Sequence, residues 1–136
     1  MDELLKKSFM AGAERVAAWA DLLDAINVYP VADGDTGRNL SISLSPLRFA
    51  GDEKDKVIRH LLMAARGNSG NIASQFFSAF CTVDSLQHLK VVVQEGNARA
   101  WKAVSNPRSG TMLSVFDALE EILSQQDFIP DQKSAD

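Results

Sequence analysis

The chain has 136 residues, 46% of them hydrophobic and 24% charged, which is ordinary composition for one globular domain with a single core. A net charge of -4 and a pI near 5.1, with the 14 basic residues in no long run, argue against a nucleic-acid partner, because affinity for phosphate backbones rests on clustered Lys and Arg. No apolar run approaches the roughly 20 residues that span a bilayer, and Asp2 and Glu3 stand where a leader would be basic, so the expectation is a cytoplasmic protein, neither secreted nor membrane-spanning.

From Leu4 to Ile26, apolar residues return at three- and four-residue steps with Lys6, Lys7, Glu14, Arg15 and Asp21 between them, the pattern of one long amphipathic helix. Pro30 disfavours helical backbone at Tyr29, so this helix should stop near Asn27. The turn "PVADGDTGRN" follows. "NLSISLSPLRF" then reads either as a short helix or, from the alternation Leu40, Ile42, Leu44 against serines, as a strand. Asp52 is the expected N-cap of a helix through Val57, Ile58, Leu61, Leu62 and Ala65.

"RGNSGN" interrupts with two glycines, and an apolar segment runs from Ile72 to Phe80. Asp84 or Ser85 should cap a further helix through Leu86, Leu89, Val93, Ala100, Trp101 and Val104. "SNPRSG" breaks it, and Thr111 to Leu123 resumes helical spacing through Met112, Val115, Phe116, Leu119 and Ile122. About six helices and no convincing set of strands predict an all-α, up-and-down antiparallel helical barrel or bundle over residues 1–127, with "PDQKSAD" inside a disordered tail at 128–136.

Cys81, the lone cysteine, is expected as a small core residue. Trp19, Trp101, Phe76, Phe77, Phe80 and Phe116 are expected in the core, and His60 and His88 on the surface away from any chemistry.

Three loops, "PVADGDTGRN", "RGNSGN" and "PRSGTM", share small residues, a hydroxyl and a glycine near the next helix start, and the helix count puts all three at one end of the bundle. Helix starts present unpaired N–H groups and partial positive charge, and glycine lets an anion approach, so three together would make a phosphate cradle. Asp33 and Asp35 would repel a phosphate chain directly. A hard divalent cation resolves that conflict by bridging carboxylates to phosphate oxygens. Taken singly, each loop is an ordinary turn or helix start; their joint occurrence carries the weight.

"NVYPVADGDTGRNL", "LLMAARGNSGNIASQ" and "AWKAVSNPRSGTMLSV" closely resemble three signature segments of the nucleotide-binding subunit or domain of the dihydroxyacetone kinase family, in particular its fatty acid kinase-like branch. The resemblance runs from about Ala18 to Ala118. It implies a barrel of antiparallel helices that binds ATP or ADP with Mg2+ at one mouth and passes the γ-phosphoryl group to a small ketone or fatty acid held by a separate substrate-binding protein or domain.

By that resemblance Asp33 and Asp35 are metal ligands, and Asn27, where the family's other branch has an aspartate, can add a carbonyl oxygen. Thr36, Gly37 and Asn39 resemble the phosphate-contacting run, Ser69 and Gly70 a second contact, and Thr111 and Met112 a contact near the nucleotide's outer end. Arg38 divides evenly between solvated surface and a phosphate contact. No nucleophile or other catalytic residue is required of this chain.

By the same resemblance, family members usually continue through two further helices and a glycine-bearing acidic loop that helps cover the nucleotide. The expectation is therefore a truncated or open barrel with an apolar flank on its first and last helices, covered by a partner or a homodimer. The alternative function is a helical lipid-binding or interaction module with a vestigial metal site.

Overall fold

The computed structural model describes residues 3–48 and 53–125, and among these it is entirely helical. Seven helices follow one another: α1 (Glu3–Ala18), α2 (Ala20–Ala25), α3 (Thr36–Arg48), α4 (Lys54–Ala64), α5 (Gly67–Phe80), α6 (Leu89–Lys102) and α7 (Met112–Gln125). Asp52, expected as an N-cap, and the expected tail at 128–136 lie outside the described residues.

The single N-terminal helix expected over Leu4–Ile26 is two helices, divided at Trp19. The division falls beside a crossing with α3 so close that a Cβ on Gly37 would lie 2.0 Å from the carbonyl oxygen of Ala20. Trp19 itself is 55% exposed, contrary to its expected place in the core.

The ambiguous segment after Gly37 is helix. Leu40, Ser43, Leu44 and Leu47 are buried at three- and four-residue spacing while Ile42 faces outward, which is a helical face and not a strand's alternation. Pro46 lies inside α3 and cannot donate to the carbonyl four residues back. The Ser45 hydroxyl donates to that Ile42 carbonyl instead, at 2.7 Å, so no acceptor is lost.

α3 and α5 form the middle of the bundle: α1, α2 and α4 pack on α3, while α6 packs on α5 and α7 on α6. One cluster of buried side chains gathers Phe9, Leu44, Leu47, Leu61, Cys81 and Val92, and a second gathers Phe76, Val93, Leu113 and Phe116. The Phe76 and Phe116 rings stack at 3.9 Å between centroids and tie α5 to α7, and Phe9 meets Phe80 edge-on at 5.3 Å, a favoured aromatic geometry that ties α1 to α5.

The interface of α6 and α7 carries a polar latch. The Asn97 amide nitrogen donates to Asp117 at 2.8 Å and Glu120 at 2.6 Å, and the Trp101 indole donates to Asp117 at 2.9 Å. Apolar side chains also stand exposed on the early helices, Leu22 and Ile26 among them, and on α7 at Val115 and Ile122. No described helix is long and apolar enough to cross a membrane.

Candidate functional site

The loop between α2 and α3 turns through a cis Tyr29–Pro30 bond and through Gly34, whose φ of +67° is left-handed backbone that a side chain resists. Asn27 clamps this loop closed. Its side-chain oxygen accepts from the Asp35 and Thr36 amides, each at 3.3 Å, and from the Thr36 hydroxyl at 2.8 Å, while its nitrogen donates to the Val31 carbonyl at 3.1 Å. Asp24 accepts from the Arg38 amide at 3.1 Å. The first-turn donors of α3 are thus capped largely from within the protein, and the Asn27 oxygen expected to meet a metal is engaged by three donors.

Asp33 is exposed and Asp35 partly buried at the mouth of this turn. Desolvation, then a hydrogen bond that the protonated Asp33 carboxyl donates to the Asp35 carboxylate, and that carboxylate's negative charge, raise Asp33 above its ordinary value, partly offset by a backbone hydrogen bond. Two oxygens of like charge side by side form a pair that gains from a cation. No group of three or more acidic, His or Cys side chains gathers for a metal among the described residues. Two carboxylates nonetheless fit Mg2+, which commonly takes one or two from the protein and completes its shell with water and phosphate.

The second loop is only the two residues between α4 and α5. "RGNSGN" is not a break before the helix but its first turn, since α5 begins at Gly67. Gly67 has φ +65°, and a Cβ there would meet the Asn39 side-chain nitrogen at 2.5 Å. The Arg66 amide donates to the Ser43 hydroxyl on α3 at 2.9 Å, and the Gly70 amide makes the first helical bond, to the Arg66 carbonyl. The amides of Gly67, Asn68 and Ser69 find no acceptor among the described residues. An anion is the natural partner for such a turn.

The third loop, between α6 and α7, is held at several points. The Thr111 hydroxyl donates to the Arg108 carbonyl at 2.7 Å and accepts from the Leu113 amide at 3.3 Å, and the Gly110 amide donates to the Ser114 hydroxyl at 2.8 Å. The Tyr29 hydroxyl reaches across from the first loop to the Ser109 carbonyl at 3.3 Å.

All three loops line one hollow of about 210 Å³. Because the starts of α3, α5 and α7 share it, these three helices run the same way and α4 and α6 run back between them. The acidic loop contributes Asn27, Asp33, Asp35, Thr36 and Asn39; α5 contributes Ser69; the third loop and α7 contribute Thr111 and Met112. Gly37 and Gly70 do not line it. Both are buried at helix crossings, Gly37 against Ala20 and Gly70 against Ser43, where a Cβ would come within 2.1 Å of the Ser43 hydroxyl oxygen.

Sequence reasoning missed Gly67, Asn68 and Arg108 at the hollow and Ser43 beneath it. "GNSG" was legible as a helix start, and one register earlier it would have named Gly67. Arg38, weighed as a phosphate contact, is exposed and outside the lining, whereas Arg108 is its one basic side chain. His60 and His88 lie off this hollow, His60 exposed and His88 within 3.0 Å of Asp84.

The molecule is a small all-helical bundle that gathers a paired-aspartate turn and two glycine-hydroxyl helix starts around one hollow. The chain belongs to the DAK2 domain family, the L-subunit type of the dihydroxyacetone kinase family, whose pattern matches residues 30–135. It is similar to an uncharacterized protein of Staphylococcus haemolyticus and another of Staphylococcus epidermidis, each 38% identical over 128 aligned positions. A third, from Staphylococcus aureus, is 37% identical over the same span. Each alignment covers 83% of this chain and 23% of the relative, so the chain spans about a quarter of the length of the curated relatives it matches.

Proposed function

We propose that this chain is the ATP- and Mg2+-binding component of a dihydroxyacetone kinase-like or fatty acid kinase-like phosphotransferase, cytoplasmic, acting on a small ketone or fatty acid presented by a partner protein or domain. The family supports a kinase component of this kind. The observation that carries the nucleotide assignment is the pairing, in one hollow, of two adjacent carboxylates with three unengaged first-turn amides of α5.

Asp33 and Asp35 would hold Mg2+, while Asn39 and Ser69 would supply amide and hydroxyl groups to phosphate oxygens, the Thr36 amide and hydroxyl being committed to Asn27. When bound, the metal would supply charge neutralisation, which with positioning is most of what phosphoryl transfer asks of a protein. The α5 amides offer donors fixed before reaction, at a helix end whose dipole favours negative charge. Asn27 holds the acidic turn in register through the three hydrogen bonds it accepts. Gly37 and Gly70 act by permitting the close crossings that bring α3 and α5 to the hollow together.

Calorimetric titration of Mg-ADP and Mg-ATP into the purified chain tests this, with Asp35→Ala as control. Saturable binding that Asp35→Ala abolishes is expected. Absence of binding by the unaltered chain sinks the nucleotide assignment, and lipid co-purifying with such a chain would favour the binding-module alternative.

A further inference from the structure

We infer that Arg108 makes this site selective for a nucleoside triphosphate over a diphosphate, by supplying the positive charge that the terminal phosphate requires. This rests on the proposed nucleotide site and goes beyond it. Among the residues lining the hollow, the charged ones are Asp33, Asp35 and Arg108.

Charge arithmetic leaves a place for Arg108. Even if two Mg2+ ions were bound, two carboxylates and a triphosphate would leave about two negative charges uncompensated, and a diphosphate about one; a single ion leaves about two more in each case. The α5 N-terminus offers about half a unit of positive charge. A guanidinium at the hollow supplies what is missing, and the deficit it offsets is larger for the triphosphate.

The structure holds this guanidinium in reserve. The Arg108 side chain is exposed and makes no ion pair or hydrogen bond with any described residue. Its backbone, by contrast, is fixed: the Arg108 carbonyl accepts the Thr111 hydroxyl, and the neighbouring Ser109 carbonyl accepts Tyr29. That second bond ties the arginine's loop to the loop bearing Asp33 and Asp35, so both loops border the same hollow. A planar fork on a fixed loop suits bidentate contact with phosphate oxygens.

The test compares Arg108→Gln and Arg108→Lys with the unaltered chain, using calorimetric affinities for Mg-ATP, Mg-ADP and Mg2+ alone. Arg108→Gln should weaken Mg-ATP by about tenfold to a hundredfold, as loss of a charge-assisted contact does, and Mg-ADP by much less. Arg108→Lys should recover part of the loss, and affinity for Mg2+ alone should stay unchanged, because the carboxylates are intact.

The position is exposed, so circular dichroism should show an unaltered fold. Equal affinities for both nucleotides in the unaltered chain, or an equal fall for both in Arg108→Gln, overturns the inference while leaving the nucleotide site standing. If the unaltered chain binds neither nucleotide, both fall.

Discussion

Gly70→Ala should destabilise the protein in its natural background and be nearly neutral once Ser43 is alanine. The new Cβ would lie 2.1 Å from the Ser43 hydroxyl oxygen, more than 1 Å short of ordinary contact, but 3.2 Å from the Ser43 Cβ, which a small shift absorbs. Two responses are open to the protein. If Ser43 rotates away, the Arg66 amide loses its 2.9 Å acceptor and is left partly buried without a partner, at about 1–3 kcal/mol.

If α3 and α5 instead move apart, overpacking costs a similar amount, about 1–3 kcal/mol. Alanine's advantage over glycine in a helix returns at most about 1 kcal/mol, for a net loss of up to about 2. Ser43→Ala alone loses the Arg66 bond, again about 1–3 kcal/mol. In that background the offending oxygen is gone and the bond is already lost, and the helix advantage of alanine is set against the shift that a 3.2 Å approach to the residue 43 Cβ demands, so adding Gly70→Ala should change stability by less than about 0.5 kcal/mol.

Urea unfolding of the four proteins, followed at 222 nm, reads the coupling directly as the failure of the two single losses to add. If Gly70→Ala costs the same in both backgrounds, Ser43 is not the strut between the acidic-loop helix and the start of α5.

Asn27→Ala removes three accepted hydrogen bonds from the start of α3 and should cost about 1–2 kcal/mol, with amide exchange at Asp35 and Thr36 accelerating before exchange in the α5 interior. Asp35→Asn should lower the Asp33 midpoint in an NMR pH titration only part of the way to the ordinary value, because desolvation, the larger cause, persists; an unmoved midpoint would refute the pairing.

Cys81 is fully buried, and burial pushes its thiol up to about 12 from the ordinary 9.0, with Lys54 opposing slightly. A folded value above the unfolded one stabilises the protein fully below pH 9, a contribution then lost as pH rises toward 12, at about 1.4 kcal/mol per pH unit. Urea midpoints measured from pH 8 to 11 should therefore fall less steeply in Cys81→Ala, and a thiol reagent at pH 8 should label the native chain only as fast as it unfolds.

The fold was legible wherever apolar spacing was long and unbroken, as in α4 and α7, because three- and four-residue periodicity admits few other structures; α6 begins at Leu89, later than the caps expected at Asp84 or Ser85, because the Ser85 hydroxyl caps a separate turn by accepting the His88 amide. It was less legible at Trp19 and at Leu40 to Leu44. There the outcome was set by helix crossings: Gly37 against Ala20 divides the first helix, and the burial of Ser43 against Gly70 makes a serine part of the core. A lone serine in a sequence does not reveal that its hydroxyl will accept an amide from another helix.

At the candidate site, Asp33, Asp35, Ser69 and Thr111 were legible because their motifs are local. Arg108 and the clamp role of Asn27 depend on distances across loops, the Asn27 contacts alone reaching eight and nine residues ahead.

The two glycines that failed to reach the hollow explain why its motifs look as they do. "GDTG" and "GNSG" each place glycines three residues apart, and in both the first has left-handed backbone, at φ +67° for Gly34 and +65° for Gly67. In both the second is buried one turn into the contact with a neighbouring helix, at Gly37 and Gly70. Three residues is nearly one helical turn, so the spacing couples a sharp chain entry to a close crossing.

The third loop keeps the first half of the device, Gly110 at φ +80°, and replaces the second with Leu113, which is buried in the core beside Phe116. The starts of α3 and α5 are accordingly drawn in by backbone contact, whereas the start of α7 is held by side-chain packing and by the bonds of Tyr29 and Thr111. Substituting the first glycine of a pair should therefore disturb the hollow before the fold, and substituting the second should disturb the fold before the hollow.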